Sequence, residues 1–143
     1  MAKKTVFLTG GTGNMGWAAV QEMIKHPNEI NIKMLARKSP KNEEKLKGIM
    51  AKPNVQVVWG DLGDYDSILE GVTGSDYVLH IGGMVSPTAD WKPYRTQKTN
   101  IGAAQNICKA VLAQPNADDI KVCDSVSGII AFSGYCNLIT SVC

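Results

Sequence analysis

Apolar runs a few residues long alternate along this chain with stretches whose apolar positions recur at helical spacing. Residues 5–9, 30–36, 55–59 and 76–81 are β-branched or aliphatic runs, the pattern of strands buried on both faces. Between them, residues 13–26 place Trp17, Val20 and Ile24 on one helical face, and residues 42–50 do the same with Leu46, Ile49 and Met50. Residues 67–72 read as a short helix, with Ser67 and Glu70 spaced as a capping box. A further stripe of Ile101, Ala104, Cys108 and Val111 marks a helix over 99–113, and residues 84–98 before it read as a loop.

Strands separated by helices of these lengths imply βαβ units and a parallel sheet, and right-handed crossovers put helices on both of its faces. The expected fold is α/β, a doubly wound parallel sheet in the strand order 3-2-1-4-5, with residues 121–127 in the fifth and outermost position. Asp124 would be an expensive charge inside such a strand unless paired. The expected domain covers residues 1–122. Residues 123–143 differ in kind: from position 125 onward there is no Lys, Arg, Asp or Glu, yet two of the four cysteines lie there.

Composition narrows the function classes. A chain of 143 residues, 44% hydrophobic and 20% charged, suits one globular domain. A net charge of +2 is too small to favour nucleic acid or an anionic membrane as a partner. No apolar run reaches the roughly 18 residues of a membrane span. The apolar stretch after the basic start is broken by glycine within about five residues, short of a signal peptide, so the cytoplasm is the expected location. Cys108, Cys123, Cys136 and Cys143 form no C-x-x-C pair, and His26 and His80 lie far upstream, so no metal site is expected and the thiols read as reduced and mostly buried.

The strongest chemical signal follows the first strand: Thr9-Gly10-Gly11-Thr12-Gly13-Asn14-Met15-Gly16. A dinucleotide site needs glycine at the tight turn, where backbone meets pyrophosphate, and where helix packs on strand. The helix that follows supplies unpaired N–H groups and the positive end of its dipole. Its position between a strand and a helix, opening a βαβ series, is the context that such a site requires.

Thr-Gly-x-x-Gly-x-x-Gly at residues 9–16 resembles the fingerprint of the short-chain dehydrogenase/reductase superfamily, and is most similar to its extended branch of NAD(P)-dependent epimerases, dehydratases and reductases. Three further stretches fit, and the resemblance covers residues 4–122. Gly60-Asp61-Leu62 matches the family's adenine contact, in which a carboxylate accepts from the adenine amino group and a backbone N–H meets the ring. The fourth strand and its Gly82-Gly83 match the segment lying against the ribose and the nicotinamide, which implies Met84 there too. Thr99-Asn100-Ile101-Gly102-Ala103 matches the Asn-bearing start of the next helix. The resemblance thus implies that Gly10, Thr12, Gly13, Asn14, Met15, Gly16, Asp61, Leu62, Gly82, Gly83, Met84 and Asn100 hold a dinucleotide, and it implies a homodimer as one assembly. Read from the residues alone, the alternative for Asp61 is a turn cap at the strand end, and that for Asn100 a helix N-cap. His80 reads as a buried core histidine, and Trp17 and Trp59 as packing.

The second strand ends in Ala36-Arg37-Lys38-Ser39, where an acidic residue would bond the ribose 2′-OH of NAD. Arg37 can grip a 2′-phosphate with two donors and Lys38 adds a point charge, which favours NADP over the alternative, NAD; the other reading is a pair of solvated charges in a lysine-rich segment. The family's chemistry uses a Ser or Thr after the fifth strand and a Tyr-x-x-x-Lys on the next helix. Ser127 or Ser125 could match the hydroxyl, but no lysine follows Lys121, and four residues after Tyr135 stands Ile139. The expected function is the cofactor-binding portion of an extended-branch epimerase, dehydratase or oxidoreductase, catalytically incomplete alone, with a small-molecule substrate that these residues do not specify. The rival is a non-catalytic NADP-binding sensor or interaction protein.

Overall fold

The computed structural model describes residues 2–85 and 87–124; Ser127 and the rest of 125–143 lie outside them. Five strands, β1 (Lys4–Thr9), β2 (Ile30–Ala36), β3 (Val55–Trp59), β4 (Tyr77–His80) and β5 (Lys121–Asp124), form one parallel sheet in the order β3-β2-β1-β4-β5. The expected topology and fold class are those observed. The helices are α1 (Asn14–Met23), α2 (Pro40–Met50), α3 (Tyr65–Val72), α4 (Thr88–Trp91) and α5 (Pro93–Leu112), with a 3₁₀ turn at Ala117–Asp119.

Alternation along the strands divides the core into two layers. Phe7, Leu35, Val58, Val78 and Val122 face Ile68 and Val72 of α3 and Ile107, Ala110 and Val111 of α5. Leu8, Ile32, Met34 and Ala36 face Val20 of α1 and Leu46 and Ile49 of α2, with Trp17 and Trp59 packed at the edge. Phe7 and Leu8 are both fully buried on opposite faces of β1, so the central strand has no solvent side. Its centre, Val6-Phe7-Leu8, is accordingly apolar without interruption, and the one buried polar side chain, Thr9, is hydrogen-bonded.

The helices depart from expectation in instructive ways. Helix α1 ends at Met23 rather than at 26, and α3 begins at Tyr65. Its cap is Asp64, whose carboxylate accepts from Asp66 N at 3.2 Å; Ser67 sits inside the first turn and donates to the same carboxylate at 2.5 Å. Asp caps as well as Ser, and the one three residues earlier prevails. The stretch 84–98 is not a loop: it holds α4 and the first turns of α5, because Pro93 occupies a helix-initiating position instead of breaking the chain. The buried stripe of α5 is Ala103, Ala104, Ile107, Ala110 and Val111, while Ile101 and Cys108 lie at its margins. Small alanines bring α5 close to the layer beneath, a role that a search for large apolar residues passes over. Met50 is 45% exposed; Ile49 takes the buried place. Asp124 carries no buried-charge penalty, since it lies exposed at the end of outer strand β5. Cys108 and Cys123 form no disulfide among the described residues and are half-buried rather than buried.

Candidate functional site

In a sheet of this order the connections from β1 and β4 leave in opposite directions, and a crevice opens between them at the carboxyl ends of the strands. The chain crosses that crevice twice. Gly10 follows β1 with φ +74°, a left-handed conformation that a side chain would strain, and a Cβ on it would lie 2.6 Å from Gly82 N. Gly82, two residues beyond β4, is buried, and its N–H donates to Thr9 Oγ1 at 3.0 Å. The two glycines therefore let two backbones meet where a ligand would span the crevice.

The rest of the turn leaves backbone donors open at the start of α1. Gly13 N donates to Gly10 O at 3.1 Å, closing the turn, and Gly13 is the N-cap of α1 with no side-chain cap. The first bond into α1 runs from Trp17 N to Gly13 O at 2.8 Å, so the N–H groups of Asn14, Met15 and Gly16 have no partner within the helix. Asn14 and Met15 are exposed, whereas Gly16 is buried, and a Cβ there would collide with the Gly10 carbonyl. Unpaired N–H groups at the positive end of a helix dipole are a ready anion site.

Each following stretch is held to the same end of the sheet. Arg37 and Lys38 are exposed immediately after β2, and their charged heads take no hydrogen bond among the described residues. The backbone there is fixed instead, with Asn42 Nδ2 donating to Arg37 O at 2.7 Å. Asp61 is exposed after β3, and its Oδ1 accepts from Gly63 N at 2.9 Å, so the turn-cap role is real for one oxygen. Leu62 is half-buried against the α3–α5 layer. Gly83 and Met84 are half-buried after β4. Asn100 is not an N-cap, because α5 starts seven residues earlier. Its amide grips Met84 twice, accepting from Met84 N at 2.8 Å and donating to Met84 O at 3.1 Å.

Three contacts, two of them from residues outside any motif, escape a reading of the sequence. Lys45 of α2 donates to Thr12 O in the glycine turn at 2.8 Å, with its ammonium 4.7 Å from the Trp17 ring centroid. Asn106 of α5 donates to Leu62 O at 3.0 Å. Thr9 Oγ1 lies 2.7 Å from His80 Nδ1, tying the ends of β1 and β4 together. His80 is buried, as expected, and burial pushes its pKa below the usual value while Asp124 pulls partly against that shift. An unfolded His80 thus takes up a proton at higher pH than a folded one, so stability is full above about pH 6.5 and declines as pH falls below it. Denaturant unfolding between pH 7.5 and 5.5 is expected to show that loss, and H80N to flatten it; equal slopes would remove His80 as the cause.

The described residues hold no group of three or more metal-ligating side chains, and no helix among them is long and apolar enough to cross a membrane. What they hold is a doubly wound α/β domain with a glycine turn at its switch point, the architecture of Rossmann-type proteins. The model of the NmrA-like family matches residues 2–113, and the chain belongs to that family. The resemblance to the extended short-chain dehydrogenase/reductase superfamily also holds. UDP-glucose 4-epimerase from Rickettsia akari (strain Hartford) is 30% identical over 112 residues, covering 76% of this chain and 33% of the relative. The enzyme of the same name from Rickettsia bellii (strain RML369-C) is 31% identical over 110 residues, 75% of this chain and 32% of its own. Among solved structures, Pen from Bacillus thuringiensis superposes with a TM-score of 0.72 at 25% identity, over 85% of this chain and 37% of that one. UDP-glucose 4-epimerase from Bifidobacterium longum, in complex with NAD+ and UDP, gives 0.68 at 21% identity, over 87% and 37%. The chain spans about a third of the length of the curated relatives it matches.

Proposed function

We propose that this chain is the nicotinamide-dinucleotide-binding portion of an extended-branch epimerase, dehydratase or oxidoreductase, taking NADP in preference to NAD. The observation that carries the reading is the meeting of Gly10 and Gly82 at the switch point, beside the open N-terminus of α1. The residues present fit such a group. The turn and the first N–H groups of α1 suit the pyrophosphate, Asp61 and Leu62 the adenine, and Gly82, Gly83 and Met84 the nicotinamide side. Asn100 contributes by holding Met84 rather than by its own contact. Preference for NADP rests on Arg37 and Lys38, two exposed cations whose heads are unengaged at the end of β2.

The cofactor would supply the hydride acceptor or donor. The chain's own part is to bind and orient it. With Ser127 or Ser125 as the candidate hydroxyl, and no Tyr-x-x-x-Lys after the fifth strand, these residues lack at that place the proton-transfer pair of the superfamily the chain resembles, which typically contributes about 10²–10⁴-fold. A spectroscopic experiment separates the two halves of this reading. Mixing the chain with NADPH is expected to change the nicotinamide emission, and adding a sugar nucleotide or small carbonyl to leave its absorbance steady. Sustained turnover would overturn the catalytic statement; an unchanged emission would overturn the binding one.

A further inference from the structure

Residues 60–64 join β3 to α3 and carry the Asp61-Leu62 pair with no ladder partner of their own, so their shape depends on individual anchors. Two of these are local. Asp61 closes its own turn through Gly63 N, and Asp64 N donates to Asp61 O at 3.0 Å. One ties the segment to the sheet, from Gly60 N to Ala36 O at 2.9 Å. The fourth comes from across the molecule: Asn106, 44 residues away on α5, donates to the Leu62 carbonyl.

From this placement we infer that Asn106 is a positioning residue for adenine recognition, setting the orientation of Leu62 and through it the backbone N–H and the Asp61 carboxylate that would read the base. The inference rests on the function proposed above. Leu62 is constrained at two points, its side chain against the α3–α5 layer and its carbonyl on Asn106. With both fixed, the peptide between Asp61 and Leu62 has little freedom left, and its N–H points one way. Without the amide, the side chain still seats residue 62, but rotation about its Cα–C bond is released and the Asp61 turn loses its fixed base. The same helix holds the segment after β4 through Asn100. One element thus fastens loops on both sides of the crevice, and Asn106 is its handle on the adenine side.

The test compares NADP+ with its hypoxanthine analogue, in which oxygen replaces the adenine amino group, so that only base reading differs between the two ligands. Calorimetric titration of the full chain is expected to show a preference for NADP+, and N106D to shrink that preference by about fivefold, the worth of one hydrogen bond. N106D keeps the side-chain volume but presents an acceptor where Leu62 O needs a donor; N106A, which has neither, is expected to behave alike. A purely packing role for Asn106 would lower the melting temperature of both variants and leave the ratio of affinities intact, which would overturn the inference while keeping the proposed function. A wild-type chain binding both ligands equally would overturn it as well, and one binding neither would overturn the function with it.

Discussion

Substituting Gly16 with alanine is expected to abolish measurable dinucleotide binding and to lower stability, although alanine is the better helix former. In α1 the exchange would by propensity alone be worth up to about 1 kcal/mol in alanine's favour. The new methyl, however, has nowhere to go. It would overlap the carbonyl of Gly10 and stand 2.9 Å from the Cα of Gly11, all backbone atoms of the glycine turn. The turn cannot retreat, because Gly10 is itself seated against Gly82. Overpacking of this kind costs about 1–3 kcal/mol, which exceeds the propensity gain. Any relief moves Gly10 and Gly13 away from the positions that close the turn, and the anion cradle goes with them. G48A is the contrasting case, since Gly48 lies exposed in α2 and a Cβ on it would meet nothing within 4 Å. It is expected to stabilise by about 0.5–1 kcal/mol and to leave binding unchanged. Denaturant unfolding of the two variants side by side reads the opposite signs directly; a G16A protein as stable and as ligand-competent as the wild type would refute the packing account.

Exchanging Arg37 for glutamate is expected to invert cofactor preference. The Arg37 side chain is exposed and its head is bonded to nothing among the described residues, so folding loses little by its removal. A guanidinium at the end of β2 can meet a 2′-phosphate with two charge-assisted bonds. A carboxylate there repels the phosphate and accepts from a free 2′-OH. The NADP/NAD affinity ratio is expected to fall by about 100-fold, with smaller changes for substitution of Lys38, a point charge without the fork geometry. A ratio that does not move in R37E would show that Arg37 does not read the phosphate.

The legibility of this fold followed burial. The first four strands declared themselves because each buries apolar positions against a helical layer, as at Val6, Phe7, Leu8, Met34, Leu35, Val58 and Val78, and the crossovers then left one strand order. The glycine turn was equally plain, since a positive φ at Gly10 and a backbone collision at Gly16 admit almost no other residue. Helix ends were less so. Asp64 and Ser67 are both good caps three residues apart, and Pro93 starts a helix as readily as it stops one. Least legible were the contacts that finish the site. Lys45 reaches Thr12 over 33 residues, Asn106 reaches Leu62 over 44, and Thr9 reaches His80 over 71. Lys45 and Asn106 are common residues with no local signal, Thr9 lies in the motif but gives no hint of His80, and only the fold brings each partner near. Asn100 shows the same lesson in reverse: its motif was visible, but its bond to Met84 needed the helix to begin earlier than the sequence indicated.

Calorimetric titration of the 143-residue chain with NADP+ and, separately, with NAD+ tests the central claim most directly. The account predicts saturable binding of both at one site per chain, tighter for NADP+. Binding of NAD+ alone would contradict the assignment of Arg37, and a folded chain that binds neither would contradict the reading of the crevice as a dinucleotide site.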